Sequence, residues 1–166
     1  MPKHKIILGI DPGLATTGFG IIKCENNETS LIDYGIISTP AKKPLLSRLQ
    51  TIHEKLTKII KKYKPNVCAC EELFFCKNVK TALLVGQARG VILLTINEHK
   101  LPFHEFTPLQ VKQSITGYGH ADKKQIQQMT KILLHLKKEP QPDDAADALA
   151  IALTCYQFIN SPLYEI

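Results

Sequence analysis

Carboxylates follow two apolar stretches of the sequence, at points where the chain leaves a predicted strand. Ile6–Ile10 has no polar face, which favours a central strand, and Asp11 comes directly after it, before a Pro-Gly turn. Val67–Cys70 is a second short apolar stretch, and Glu71 follows it. Because open α/β sheets place their sites at the carboxyl ends of strands, Asp11 is a candidate site residue, although an Asp before Pro-Gly is also a common turn cap.

A third group of acids, Asp143, Asp144 and Asp147, begins the last predicted helix. Asp144 and Asp147 are three residues apart and Asp143 and Asp147 are four apart, so either pair shares one face of a helix. Helix geometry therefore does not choose between Asp143 and Asp144. Acids in a first turn also interact favourably with the helix dipole, but that role does not explain why acids end two apolar strands as well.

These acids have the chemistry of a site for divalent metal ions. Hard cations such as Mg²⁺ prefer oxygen ligands, and they take a few protein carboxylates together with water and substrate phosphate. Carboxylates from two strand ends and a helix start could hold two such ions about 4 Å apart. One ion would lower the pKa of an attacking water and the other would stabilise the leaving oxygen, which is the chemistry of phosphodiester cleavage.

The composition indicates one globular domain, over residues 1–166, with a polyanionic partner. The 166 residues suffice for a substantial core, and 44% of them are apolar. Lysine and arginine number 21 against 15 acids, which gives a net charge of +6. If several acids cluster in one site, the remaining surface is more basic still, and a basic surface favours a polyanion.

Nothing in the sequence predicts a membrane-bound or secreted protein. The longest apolar runs are too short to span a bilayer, and Met1–Lys5 leads directly into a strand without a secretory signal. Among five cysteines, Cys68 and Cys70 lie in an apolar segment, and with Cys76 they lack the usual zinc spacing. Buried reduced thiols and a cytoplasmic location fit this pattern best.

The order of strands and helices predicts an α/β fold with a mixed sheet. Thr16–Cys24 and Thr29–Ile37 continue the first strand as an antiparallel meander. A change of period from Leu45 to Tyr63 predicts an amphipathic helix whose other face carries solvated lysines. The later elements are strands at Val67–Cys70 and Pro102–Phe106, and helices at Val79–Asn97, from Thr107-Pro108, at Ala121–Leu136 and at Asp143–Phe158.

Two of these helices have informative faces. Gly86 and Gly90 lie inside Val79–Asn97, where a Gly costs about 1 kcal/mol relative to Ala. Two glycines four residues apart suggest close approach to another element, either within the monomer or in a second subunit. The apolar positions of the first helix are Leu45, Leu49, Ile52, Leu56, Ile59 and Tyr63.

Six short motifs are spread along nearly the whole chain, namely Ile10–Gly13, Glu71–Phe74, Lys77-Asn78, Gly86–Gly90, Gln110–Gln113 and Asp144–Ala150. In order and in spacing they resemble the motifs of the RuvC family of bacterial Holliday junction resolvases. The agreement of several motifs makes the resemblance specific, whereas Asp-Pro-Gly alone also occurs in other ribonuclease H-like families.

The resemblance implies a ribonuclease H-like fold, with a mixed sheet of about five strands flanked by helices, and a homodimer. It implies a nuclease that nicks two opposed strands of a four-way DNA junction and leaves 5′-phosphate and 3′-hydroxyl ends. The implied cofactor is Mg²⁺, as two ions per subunit, with Mn²⁺ as a substitute. A branch-migration motor complex is the implied further partner.

The resemblance also assigns roles to single residues. The family's metal-binding carboxylates fall on Asp11, Glu71, Asp144 and Asp147, and Asp143 is an extra acid just before the motif. Phe74 stands where the family inserts an aromatic ring near the junction crossover, although the residues alone would favour its burial. The implied DNA-binding residues are Phe74, Lys77, Arg89, Lys112 and Lys123, the last two near the scissile phosphate; His120 has no assigned role.

Three other functions share some of these sequence features. A YqgF-like RNA-processing nuclease would share Asp11 and the sheet, but the Gly86–Gly90 stretch and the length of the chain argue against it. A non-catalytic junction-binding module would leave four acids at matching motif positions unexplained. An actin-like ATPase would need a second lobe and a second phosphate loop, for which this chain is too short.

Overall fold

The computed structural model of the chain describes residues 4–72 and 79–161. Its elements follow the predicted order, with boundaries that differ by at most three residues. The strands are β1 (His4–Asp11), β2 (Thr16–Glu25), β3 (Glu28–Ser38), β4 (Val67–Glu71) and β5 (Phe103–Phe106). The helices are α1 (Leu45–Tyr63), α2 (Val79–Glu98), α3 (Pro108–Thr116), α4 (Lys123–Leu133) and α5 (Asp143–Ile159).

The strands form one mixed sheet in the order β3-β2-β1-β4-β5, which confirms the predicted fold class. β1, β2 and β3 are joined as antiparallel hairpins, whereas β4 is parallel to β1 and β5 is parallel to β4. Ile10 pairs with Cys70 across the parallel strands, so Asp11 and Glu71 are the next residues on adjacent strands. The sheet therefore brings two acids to the same edge.

Helix α5 lies directly against the centre of the sheet, where it is buried from Ala148 to Cys155. The close approach requires glycines on the strands beneath it. A Cβ on Gly9 would lie 2.1 Å from the backbone oxygen of Ala148, and a Cβ on Gly18 would lie 1.9 Å from that of Asp144. These contacts fix the first turn of α5 beside the edge at which Asp11 lies.

Helices cover both faces of the sheet. On one face α5, α3 and α4 pack over a core that includes Ile7, Ile22 and Val67. On the other face α1 and α2 pack over Leu8 and Ile10. This two-sided burial explains why the first strand has no polar face.

The buried stripe of α1 differs from the predicted one. Ile52, Leu56 and Ile60 are its buried residues, and Ile60 was not among the predicted apolar positions. Ile59 and Tyr63 are only partly buried, because the line of α1 that faces the core consists of Ile52, Leu56 and Ile60, which are spaced by four residues. The lysines on the opposite face, Lys55, Lys58, Lys61 and Lys62, are exposed as expected.

The predicted start of α3 is confirmed in detail. Thr107 caps the helix by accepting a hydrogen bond from the Gln110 N–H at 3.1 Å, and Pro108 is the first helical residue. Helix α4 begins at Lys123, two residues later than predicted, because Asp122 caps it in the same manner.

Among the described cysteines, Cys24, Cys68, Cys70 and Cys155 are buried free thiols, as expected, and Cys76 lies outside the described residues.

Helix α2 corrects one expectation from the sequence. No run was expected to be long enough for a bilayer, yet Val79–Glu98 is long enough and apolar enough to cross one. Length and composition are weak evidence for a membrane span, because apolar helices of other kinds pass the same test. The helix exposes several large apolar side chains, namely Val79 (70%), Leu83 (64%) and Leu94 (57%).

The packing of α5 on β1 makes a stability prediction. Gly9→Ala should lower the free energy of unfolding by about 3 kcal/mol, because the new methyl group would overlap the Ala148 backbone. Gly86→Ala is the control, since a Cβ there meets no atom of residues 4–72 and 79–161 within 4 Å, and in the monomer it should be neutral or stabilising. Urea unfolding of the two variants measures the difference, and equal stabilities would contradict this account of the packing.

Candidate active site

Four carboxylates from three elements lie close together at the edge of the sheet. Asp11 ends β1, Glu71 ends β4, and Asp144 and Asp147 lie in the first two turns of α5. Burial is the main cause that raises the pKa of Asp11 to about 8, and the charges of Asp147, Glu71 and Asp144 raise it further. The structure thus brings together the four predicted site acids around Asp11.

Two lysines face this group of acids. Burial and the charge of Asp147 raise the pKa of Glu71, while Lys112 and Lys123 act in the opposite direction. The Nζ of Lys123 lies 3.1 Å from the Oδ2 of Asp147. Burial also raises the pKa of Asp147, and its bond with Lys123 offsets part of that effect. The lysines therefore compensate part of the negative charge at the site.

The structure distinguishes Asp143 from Asp144, which helix spacing does not. The carboxylate of Asp143 is exposed, accepts a hydrogen bond from Gln127 at 3.0 Å and lies 3.2 Å from the Nζ of Lys123. Those bonds from Gln127 and Lys123 lower the pKa of Asp143. Asp144, and not Asp143, is among the acids that raise the pKa of Asp11. Asp144 is therefore the member of the pair that faces the site.

Two cavities border the acids. One, of about 230 Å³, is lined by Glu71, Lys112, Lys123 and Asp147. The other, of about 370 Å³, is lined by Asp144, by Arg48 and by the turn after β1, with α2 on its far side. Glu71, Asp144 and Asp147 are therefore each accessible from a cavity although they are partly buried. Sequence analysis missed Arg48 and Gln127, because no motif or spacing links either residue to the acids.

Arg89, one of the predicted DNA-binding residues, is held against the sheet by contacts within the protein. Its guanidinium forms an ion pair with Glu105 of β5 and a hydrogen bond with Cys70 of β4, and the side chain is only 15% exposed. Contact with a phosphate would require that ion pair to break, so the geometry favours a role for Arg89 in joining α2 to the sheet.

Three further residues considered from the sequence are Phe74, Lys77 and His120. Phe74 and Lys77 lie outside the described residues, and exposed His120 packs edge-on against Tyr118.

The donor set fits divalent cations, although the side chains do not form a closed cage as they stand. Within residues 4–72 and 79–161, no three His, Cys, Asp or Glu side chains are clustered closely enough to hold an ion. The four acids nevertheless supply hard oxygen ligands, and partial burial leaves the carboxylate of Asp11 short of compensating charge. A divalent cation would supply that charge.

Comparison with known proteins connects this geometry to an activity. The model of the family described as crossover junction endodeoxyribonuclease RuvC matches residues 7–155. The protein of that name from Alkaliphilus oremlandii is 58% identical over 89% of this chain and 90% of its own, and that from Thermosipho melanesiensis is 55% identical over 88% and 93%.

A solved structure agrees with these sequence matches. The structure of Thermus thermophilus RuvC in complex with Holliday junction substrate superposes with a TM-score of 0.88 and 34% identity, and the match covers 93% of this chain and 94% of that one. The resemblance inferred from the sequence motifs and the expected ribonuclease H-like fold are both confirmed.

The crowding of charge around Asp11 predicts that Asp11→Asn stabilises the metal-free protein. The folded-state pKa of about 8 exceeds the ordinary 3.8, so the folded state binds the proton more tightly and the native protein loses stability as the pH rises between these values. The amide of the Asp11→Asn variant does not ionise, so the variant does not lose this stability. The difference in the free energy of unfolding between Asp11→Asn and the native protein should therefore grow from pH 4 to pH 8. It should reach at least about 1 kcal/mol in favour of the variant, which corresponds to a rise in Tm of about 2–4 °C.

Thermal unfolding in EDTA measures this effect, and Asp143→Asn is the matched control. The pKa of Asp143 is lowered, so its carboxylate stabilises the folded state above the ordinary pKa and its amide should not raise the Tm. A Tm of Asp11→Asn that equals or falls below the native value at pH 8 would contradict this account of the site.

Proposed function

The chain belongs to the RuvC family of crossover junction endodeoxyribonucleases, and we propose that the acids around Asp11 are the catalytic centre of this enzyme. The protein is a Holliday junction resolvase, an endonuclease that acts on four-way DNA junctions. The observation that carries the proposal is the convergence of Asp11, Glu71, Asp144 and Asp147 at one sheet edge. An RNA-processing nuclease and a non-catalytic junction-binding module are not favoured.

Nucleases of this family are metal-dependent, and the same four acids would hold the metal. The proposed cofactor is Mg²⁺, as two ions per subunit, and Mn²⁺ would also serve, since both ions prefer oxygen ligands. When bound, such ions lower the pKa of an attacking water and stabilise the leaving oxygen of a phosphodiester. The protein's part is to hold the four carboxylates together in a partly buried place.

Lys112 and Lys123 would bind the DNA strand at the cut. Both side chains line the cavity that Glu71 and Asp147 also border, so a phosphate there would be within reach of cations and carboxylates together. Lys123 also holds Asp147 and Asp143, which gives it a second role in orienting the start of α5. Phe74 and Lys77 remain proposals from the resemblance, as contacts near the junction crossover.

A homodimer would cover the open face of α2. The exposed Val79, Leu83 and Leu94 share this helix with Gly86 and Gly90, and a Cβ on either glycine would meet no atom within 4 Å in the described monomer. The glycines are thus not explained by packing within the described monomer, and an apolar helix face rarely stays in water. A two-fold dimer built on α2 would also place two sites symmetrically, as paired cuts in opposed strands require.

The remaining parts of the proposal rest on the family resemblance. The chain would act as a single nuclease domain over residues 1–166, in the cytoplasm, and would cooperate with a branch-migration motor. Its cuts would leave 5′-phosphate and 3′-hydroxyl ends.

Cleavage of synthetic DNA tests the function directly. The protein should nick a four-way junction in Mg²⁺ at two symmetric positions and should leave a linear duplex of the same sequence intact. EDTA should abolish nicking but preserve junction binding, with an affinity that falls steeply with salt as phosphate contacts release counterions. Equal cleavage of duplex and junction, or cleavage in EDTA, would contradict the proposal.

The position of Asp144 predicts a difference between two adjacent acids. Asp144→Asn should lower the rate of junction cleavage by at least about 100-fold, which corresponds to a barrier about 2.7 kcal/mol higher, because it removes an oxygen ligand that faces Asp11. Asp143→Asn is the matched control and should retain most of the activity, since Asp143 contacts Lys123 and Gln127 instead. Single-turnover cleavage measures both, and similar losses would show that both acids serve the site.

The open face of α2 predicts that bulk at Gly86 breaks the dimer without unfolding the monomer. Gly86→Trp should sediment as a monomer and should release singly nicked circles from a cruciform plasmid, whereas the native dimer yields linear product. Lys58→Trp, on the exposed face of α1, is the control and should behave as the native protein does. A Gly86→Trp variant that sediments as a dimer would place the interface elsewhere.

A further inference from the structure

The turn that follows Asp11 is held by hydrogen bonds to three successive carbonyl oxygens. The Gly13 oxygen accepts from the Thr17 hydroxyl at 2.6 Å. The Leu14 oxygen accepts from the Thr39 hydroxyl, and the Ala15 oxygen accepts from the Thr39 N–H at 2.9 Å. A residue at the end of β3 therefore supplies two of the three bonds that shape the turn.

Arg48 of α1 extends this set of bonds. Its Nε donates to the Thr39 hydroxyl oxygen at 3.1 Å, and its Nη2 donates to the Thr39 carbonyl oxygen at 3.3 Å. The hydroxyl has one proton, so acceptance from Arg48 directs that proton toward Leu14. Thr39 is only 2% exposed, and in such surroundings successive hydrogen bonds strengthen one another.

The turn lies between two of the site acids. Asp11 precedes it directly, and its residues line a cavity together with Asp144 and Arg48. The backbone of Asp144 also packs against Gly18, the third residue of β2, the strand that follows the turn. A shift of the turn would therefore change the position of Asp11 relative to Asp144.

We propose that Arg48 and Thr39 are positioning residues for catalysis, which hold the turn in the conformation that keeps Asp11 beside Glu71, Asp144 and Asp147. The inference rests on the proposed function of the acidic site and adds two residues to it. Neither side chain needs to touch the DNA or the reacting atoms in this role. Loss of the linkage acts on the orientation of the carboxylates, and displacements of about 1 Å at an active site can cost roughly 100-fold in rate.

Two variants of Thr39 test the linkage: Thr39→Val, which is isosteric, and Thr39→Ser, which keeps the hydroxyl and loses the methyl group. Valine keeps the shape but removes the hydroxyl, whereas serine keeps both of its hydrogen bonds. Thr39→Val should lower the single-turnover rate of junction cleavage by roughly 10- to 100-fold and should weaken Mn²⁺ binding, followed by the electron paramagnetic resonance signal of the free ion. Thr39→Ser should stay close to the native protein in both measurements.

Arg48→Lys is the second variant, and it separates positioning from a direct phosphate contact. Lysine keeps the positive charge but cannot donate the two fork-like bonds to Thr39. The proposal predicts slow cleavage and weak Mn²⁺ binding with junction affinity in EDTA within about twofold of native. In the combined variant with Thr39→Val, the two losses should be far from additive, since one linkage is broken twice.

Each alternative result has a defined meaning. If the native protein does not nick junctions, the proposed function fails, and the linkage is then decided by Mn²⁺ binding: equal binding by native protein and Thr39→Val overturns it. If the native protein nicks but Thr39→Val, folded at the assay temperature, nicks equally fast, the linkage is not used in catalysis. If Arg48→Lys cleaves normally, or if it loses junction affinity and not cleavage rate, Arg48 acts through its charge and the proposal is overturned.

Discussion

The rest of the structure depends on one constraint. Four carboxylates, which carry negative charge, are partly buried together at one edge of the sheet. Burial and three neighbouring carboxylates raise the pKa of Asp11 to about 8, so the folded protein holds this group of acids against both desolvation and repulsion. Lys123 and Lys112 relieve only part of that cost. In the proposed function, divalent cations would supply the positive charge that the site's own lysines do not.

The architecture around the site is arranged to hold this unfavourable group in place. Parallel pairing of β1 and β4 sets Asp11 beside Glu71, and Gly9 and Gly18 let α5 approach closely enough to add Asp144 and Asp147. The turn after Asp11 is tied to β3 and α1, which lie outside the acidic group itself. Stability lost at the acids is thus offset by packing and hydrogen bonds in the elements around them.

The sequence predicted the features that local chemistry determines. Apolar runs that end in acids identified Asp11 and Glu71 as strand ends, and the change of period at Leu45 identified α1. The choice between Asp143 and Asp144 depended on Lys123 and Gln127, which lie in another helix, so spacing within α5 was insufficient. The ion pair of Arg89 with Glu105 and the link from Arg48 to Thr39 each join two different elements, and the periodicity within one element does not report such contacts.

The carboxyl carbon signal of Asp11, assigned by its loss in Asp11→Asn, gives the most direct test of the central claim. In metal-free protein labelled with ¹³C, the account predicts that this signal titrates with a pKa of about 8. Addition of Mg²⁺ should move the titration to much lower pH, because a bound cation favours the charged carboxylate. A metal-free titration close to the ordinary 3.8, unchanged by Mg²⁺, would contradict the account.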